Sequence, residues 1–237
     1  MPDPQHAGSS ALFVTGTDTD VGKTFVCGLL LGYLRGEGIA AGYQKWVSTG
    51  GEGLPADLAA CLEAAGLPVA EAVPELQTPY RFRLPASPHL AAEAEGRSIE
   101  PDLILARFRE LAARHPVLIV EGVGGLLVPV RRDLLLANLL ARLALPTLVV
   151  ARSGLGTLNH TLLTLEALRA RAVPVLGVVC SDSGHDEDER IAADNLRTIA
   201  DMGKVTVFGR LPRCRTAAEA AIAFRPVGDA IRKVLCH

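Results

Sequence analysis

The chain has 237 residues, 49% of them hydrophobic, and its 24 Lys and Arg against 26 Asp and Glu leave a net charge of −2. That length is enough for one large α/β core. The interleaved charges form no basic stripe that could track a nucleic-acid backbone or an anionic membrane, so both are excluded as expected partners and small molecules are favoured.

In chain order, "ALFV" (11–14) reads as an apolar strand, and the glycine-containing turn after it leads into "KTFVCGLLLGYLRGEG" (23–38). There Val26, Leu29, Leu30, Tyr33 and Leu34 make one helical face, which Gly36 and Gly38 terminate. "IAAGYQK" (39–45) is a second strand ending on a cation, and "PADLAACLEAAG" (55–66) is a short helix with Pro at its start and Gly past its end. Residues 67–88 are proline-rich and aperiodic, which predicts a long loop of the functional kind. "ASPHLAAEAEG" (86–96) restarts a helix with Ser87 as N-cap and Pro88 in the first turn, and "EPDLILARFRELAARHP" (100–116) follows with Ile104, Phe108 and Leu111 on one stripe. "VLIVEGVGG" (117–125) is a fully apolar strand that runs into Glu121 and a glycine turn. "LPTLVVARSGLGTLNHTLLTLEALRAR" (145–171) repeats strand, turn and helix, and "PVLGVVCSD" (174–182) and "VTVFGRLP" (205–212) add two strands.

Short apolar runs alternating with helical segments predict an α/β fold, a doubly wound and mainly parallel sheet flanked by helices. No composition shift divides the chain, so residues 1–237 are expected to form a single domain with 1–10 flexible. The five cysteines, Cys27, Cys61, Cys180, Cys214 and Cys236, are odd in number and form no C-x-x-C pair, and they read as buried, reduced thiols. With neither a leader-like start nor a long apolar run, a cytoplasmic protein is expected.

"GTDTDVGKT" (16–24) nearly satisfies the phosphate-loop pattern G-x-x-x-x-G-K-[ST], but the first glycine position holds Thr17 and Gly16 stands one place too early. The strand before it and the helix after it supply the context a polyphosphate cradle needs: backbone N–H groups, Lys23 for the outer oxygens and Thr24 for a metal. Glu121, at the carboxyl end of an apolar strand, suits a metal-directed carboxylate, a capping or solvated glutamate being the alternative. Asp57 serves equally as one or as a helix-start acid, and Lys45 as a second cation for developing negative charge or a snorkelling surface lysine. "SGLGTLNH" (153–160) is a glycine turn opening a helix, an anion nest or an ordinary helix start. The acidic run 182–189 reads as a solvated loop, and His89 and His160 read as structural. No nucleophilic triad is present.

These residues resemble the dethiobiotin synthetase family. "TGTDTDVGKT" is similar to its variant phosphate loop, in which threonine stands where the ordinary motif has glycine. The resemblance continues in order through "GYQKWVSTG", "PYRFRLPASPHLAAEAEG", "VLIVEGVGGLLVP" and "GTLNHTLLTLEAL", reaching about residue 212. It implies a phosphate-loop NTPase fold and an ATP-dependent ligase that carboxylates and cyclises 7,8-diaminononanoate with CO2. The steps implied are a carbamate on one amine, its phosphorylation by ATP to a mixed anhydride, and closure of the cyclic urea by the second amine.

Carried over position by position, the resemblance implies that Thr19, Asp20, Val21, Gly22, Lys23, Thr24, Asp57, Glu121, Gly122, Val123 and Gly124 bind the nucleotide around its phosphates. Ser181, Asp182, Leu211, Pro212 and Arg213 would bind around its base. It gives Thr24, Asp57 and Glu121 to Mg2+, Lys23 and Lys45 to catalysis, and Thr49 to substrate. The family's homodimeric organisation implies that Gly156, Thr157, Leu158 and Asn159 of one subunit receive the substrate's carboxylate tail from the other. The chain departs from the family pattern in having Trp46 where proline follows the second lysine, and Ser181 where an asparagine reads the base. A partition-type ATPase working through partner binding is the alternative reading, although Thr17 to Val21 hold none of the lysine that such loops carry, and a homologue without turnover is another.

Overall fold

The computed structural model describes residues 10–182 and 188–235. Six parallel strands form its centre: β1 (Ser10–Gly16), β2 (Ala41–Lys45), β5 (Val117–Gly125), β8 (Thr147–Arg152), β9 (Val175–Ser181) and β10 (Val207–Leu211). Their order across the sheet is β10-β9-β8-β1-β5-β2. From β1 the chain crosses to β2 at one edge, returns to β5 between them, and then passes to β8, β9 and β10 on the other side, which brings the carboxyl ends of β1, β2 and β5 to one crevice.

The helices cover both faces. On one side α1 (Lys23–Gly36) and α9 (Ala217–Leu235) pack Val26, Leu30, Phe224 and Ile231 onto Leu12, Val14 and Ile119. On the other, α5 (Pro101–Ala112), α6 (Leu136–Leu143) and α7 (Thr157–Arg169) pack Phe108, Leu139 and Leu165 with Phe13, Trp46 and Val120. Successive residues of β1 therefore serve opposite cores, which is why its sequence is apolar without alternation. Two further helices lie beside these layers, α2 (Ala56–Ala64) against α1 and α8 (Glu189–Gly203) against α7. The last helix, α9, continues through Pro226 and brings Gly228 onto the ring of Tyr33, where a Cβ would lie 2.7 Å from the ring.

Several expectations are corrected. Residues 67–88 are not one structureless loop: they hold a 3₁₀ turn (Val69–Glu71), α3 (Pro74–Gln77) and β4 (Tyr80–Phe82). β4 pairs in parallel with β3 (Val47–Thr49), a small sheet whose three-residue strands are too short to reveal a period in the sequence. Tyr80 and Phe82 are buried there while Arg81 faces solvent. Ser87 does occupy the N-cap of α4 (Pro88–Ala94), but its side chain makes no capping bond. Two short strands, β6 (Pro129–Arg131) and β7 (Leu134–Leu135), form a hairpin between β5 and α6. Cys27, Cys61 and Cys180 are buried, but Cys214 is only half-buried, because it follows β10 in the irregular segment before α9. Cys236, residues 1–9 of the expected flexible start and 183–187 of the acidic run lie outside the described residues.

Candidate active site

The phosphate loop turns on Gly16. A Cβ at that position would lie 2.7 Å from Val21 Cγ2, 2.8 Å from the Asp18 carbonyl oxygen and 2.9 Å from Lys23 Nζ, so no side chain fits. The glycine that permits close approach is therefore at position 16, which leaves position 17 free to be threonine. Gly22, at φ 93°, forms the left-handed N-cap of α1, and Asp20 also lies in the left-handed region, at φ 54°. The Lys23 ammonium folds back across the loop and donates to the Asp18 carbonyl at 2.8 Å. Burial first, and then the neighbouring Lys45, hold its pKa below the ordinary lysine value.

Parallel pairing sets Lys45 of β2 directly beside Glu121 of β5. The Lys45 ammonium is 2.5 Å from Glu121 Oε1 and 3.3 Å from Asp57 Oδ2. Burial acts to lower the pKa of Lys45, but Glu121 and then Asp57 outweigh it, and the net displacement is upward. The Thr24 hydroxyl donates to Glu121 Oε1 at 2.8 Å and lies 3.3 Å from Asp57 Oδ1. These residues share a crevice of about 500 Å³ with Thr19, Asp20, Gly22, Lys23, Thr49, Val123 and Gly124. Two carboxylates, two ammonium groups and the loop's backbone thus converge where a polyphosphate can be neutralised and a second anion held beside it.

Other carried-over residues are placed elsewhere. Val21 is fully buried under the loop, and Gly122 faces Phe13 and Leu136, where a Cβ would lie 2.8 to 3.0 Å from their side chains. Ser181 ends β9, two strands from β1, and Asp182 follows it with its N–H donating to the Leu211 carbonyl at 3.0 Å. The Asp182 carboxylate is taken up by the Arg210 guanidinium, with its nearest nitrogen at 2.7 Å, and by the Ser153 hydroxyl. Pro212 and Arg213 are exposed beyond it. In the first turn of α7, the N-cap Gly156 is left-handed at φ 89°, the Thr157 hydroxyl donates to the Arg152 carbonyl at 2.6 Å, Leu158 is half-buried and Asn159 is exposed. That turn does not line the phosphate crevice of its own chain.

Sequence reasoning missed three groups here. Tyr43 donates to Glu121 Oε2 at 2.7 Å, Ser48 donates to Asp57 Oδ2 at 3.2 Å, and Arg210 forms the pair with Asp182. The period of two along β2 carried the signal for Tyr43, since it sets residues 43 and 45 on one face. Nothing local marked Arg210.

Fold and site together define a phosphate-loop nucleotide-binding protein with an added lysine and two carboxylates in its crevice. A family described as an AAA domain matches residues 10–221. The ATP-dependent dethiobiotin synthetase BioD of Anaeromyxobacter dehalogenans (strain 2CP-C) is 45% identical over 182 residues, 76% of this chain and 80% of that one. The protein of the same name from Rhodopseudomonas palustris (strain TIE-1) is 39% identical over 231 residues, 94% of this chain and 99% of that one. The chain belongs to the ATP-dependent dethiobiotin synthetase family. Among solved structures, a chain of the MinC:MinD cell division protein complex of Aquifex aeolicus aligns with a TM-score of 0.60 at 12% identity over 97% of each chain. The ParA family ATPase of Chlorobium tepidum TLS aligns at 0.56 and 13%, over 97% of this chain and 99% of that one, a likeness of fold alone. No described helix is long and apolar enough to cross a membrane.

Proposed function

We propose that this chain is a cytoplasmic, single-domain ATP-dependent ligase that joins CO2 to 7,8-diaminononanoate and closes the product to dethiobiotin, releasing ADP and phosphate. The observation that carries this reading is Lys45. A buried ammonium bridging Glu121 and Asp57 at the mouth of a phosphate loop is surplus to nucleotide binding, and suits a reaction in which a second anion must meet the transferred phosphoryl group.

In this reading the backbone of residues 16–22 and the Lys23 ammonium take the outer phosphates. Lys45 swings from its carboxylates to the carbamate, orients its oxygen for attack and stabilises the charge that develops on transfer. Thr49, at the end of β3 and on the crevice wall, donates to the substrate. The second amine then attacks the mixed anhydride, phosphate leaves and the ring closes. Positioning and charge neutralisation suffice for these steps, with no covalent enzyme intermediate. The donor set of Thr24, Asp57 and Glu121 is all hard oxygen, within 3.3 Å of one another through the Thr24 hydroxyl, and fits Mg2+, which keeps waters and takes its remaining ligands from phosphates. Mg2+ bound there would neutralise phosphate charge and orient the transferred group.

The homodimer in this reading is supported by the α7 region, where Leu155 is 93% exposed and an apolar groove of about 370 Å³ runs between Leu127 and Leu163. Such a surface fits a second copy, with residues 156–159 turned to the partner's substrate. Around the base, Ser181 has too short a side chain for a paired amide contact, and Asp182 is already held by Arg210. Contacts from the segment at Leu211, Pro212 and Arg213 then carry base binding.

The test is phosphate release from Mg-ATP in CO2-saturated buffer with and without the diamine, with mass detection of product, on wild type and Lys45→Ala. Diamine-dependent release with dethiobiotin, lost in the variant, is expected. Diamine-independent hydrolysis without ring-closed product sinks the reading in favour of a partner-binding ATPase.

A further inference from the structure

The geometry points to Tyr43 as a positioning residue for Glu121: its phenol pins one carboxylate oxygen at the back of the crevice so that the other alone faces Thr24, Lys45 and the metal position. This inference rests on the reading that Glu121 serves the metal and phosphate crevice.

Tyr43 and Glu121 are 1% and 0% exposed, so neither borrows a partner from solvent. The phenol is 2.7 Å from Glu121 Oε2, and because an ionised carboxylate only accepts, the phenol donates. Oε1 receives Thr24 Oγ1 at 2.8 Å and Lys45 Nζ at 2.5 Å. The two oxygens of one carboxylate are thereby given different tasks, one fixed to the scaffold and one presented to the chemistry. β2 builds this arrangement: residues 43 and 45 share a face of the strand and stand beside Ile119 and Glu121 of β5 in parallel register, so one strand supplies both the group that holds Glu121 and the group that Glu121 holds.

Without the phenol, Oε2 is a buried acceptor with no donor, and rotation of the carboxylate turns both oxygens toward Lys45 and Thr24. Lys45 is then drawn into a two-point ion pair and leaves it less readily for substrate. The single-oxygen presentation that suits a metal already carrying phosphate ligands is lost too. Groups that orient a ligating side chain in this way change metal affinity or activity about 10- to 100-fold when removed.

The test compares wild type with Tyr43→Phe, which keeps the ring and deletes only the donor. Three quantities are read: Mn2+ affinity of the ADP complex by electron paramagnetic resonance, kcat, and KM for the diamine. A loss of about tenfold in Mn2+ affinity or in kcat, with KM for the diamine little changed, is expected. Mn2+ affinity and kcat both within about twofold of wild type, whatever the melting temperature, overturn the inference, as does a change confined to KM. Should Tyr43→Phe fail to fold, the wild-type chain labelled with 3-fluorotyrosine is used instead, its three tyrosine resonances assigned with Tyr33→Phe and Tyr80→Phe. A position-43 resonance that shifts on adding Mg2+ to the ADP complex supports the inference, and one that does not overturns it. The Mn2+ titration does not depend on the product made. A wild type that forms no dethiobiotin but has a Tyr43-dependent Mn2+ site therefore sinks the synthetase reading alone, and Mn2+ bound equally by both forms sinks this inference alone.

Discussion

The Lys45 ammonium lies 2.5 Å from the Oε1 atom of Glu121, a carboxylate with no exposed surface. A charge so enclosed is tolerated because Lys45, Thr24 and Tyr43 all donate to it. Replacing Lys45 by Ala leaves Glu121 without its counter-charge, so two effects are expected together. Stability falls by about 3–5 kcal/mol, and dethiobiotin formation falls by a factor on the order of 10² to 10³. Urea melts and product assays on the same preparation check both, and a variant that keeps full stability contradicts the account of the pair.

The contacts around Gly16 make Gly16→Ala a test of where the loop's close approach lies. With Val21, the Asp18 carbonyl and Lys23 Nζ all within 3 Å of the added methyl, the loop must open and Lys23 must leave its carbonyl. Nucleotide affinity is expected to drop at least about tenfold, since the backbone donors of the cradle are displaced together. Thr17→Gly, which restores the ordinary motif, is expected to leave affinity within about threefold. Isothermal titration with ADP measures both, and equal losses in the two variants refute the assignment.

His115 is expected to shape the acid limb of stability. Its ring covers Gly42, where a Cβ would lie 2.4 Å from the imidazole, and its Nδ1 is 3.2 Å from the Ala40 carbonyl. Burial lowers its pKa below the ordinary value of about 6.5, against the carbonyl, which acts to raise it. The unfolded chain therefore binds this proton more readily than the folded one. The contribution is complete above about pH 6.5 and is lost as pH falls from there through the folded value. Between about pH 7.5 and about pH 5 the wild type should lose more melting temperature than His115→Asn, and parallel slopes would refute this.

The cysteines should divide by burial. Burial raises the thiol pKa of Cys180 to about 12, and burial followed by the nearby Glu121 raises those of Cys27 and Cys61 well above normal. Half-buried Cys214 is also raised, more modestly, by burial and then Glu219. Among the described cysteines, peptide mapping after brief alkylation at about pH 8 should find Cys214 modified first and the other three protected until denaturant is added. Early labelling of Cys61 would show that α2 opens from α1 in the native state.

What the sequence made legible follows the reach of its signals. The runs 11–14, 117–125 and 145–171 are long and apolar enough to reveal the strands and the helix they hold, and Gly36 and Gly38 marked the end of α1. β3 and β4 escaped notice because three residues cannot express a period, and what makes them strands is pairing across more than thirty positions of chain. The site was legible where function imposes local spacing, as in Gly22-Lys23-Thr24. Of the side chains that meet it, Tyr43 shares only a face of β2 with Lys45, and neither Ser48 nor Arg210 belongs to a recognisable spacing: the passage of the chain from β3 into α2 brings Ser48 to Asp57, and the pairing of β9 with β10 brings Arg210 to Asp182.

Trp46, the lone tryptophan of the chain, is fully buried with its ring centroid 4.8 Å from that of Phe13, and its indole N–H meets no acceptor among the described residues. It is joined directly to Lys45, yet its ring belongs to the core on the far side of the sheet. One backbone link therefore separates the ammonium that meets Glu121 from a chromophore held in apolar surroundings. The protein thus carries, directly behind its buried lysine, a native optical reporter of the packing there, readable by fluorescence without any added label.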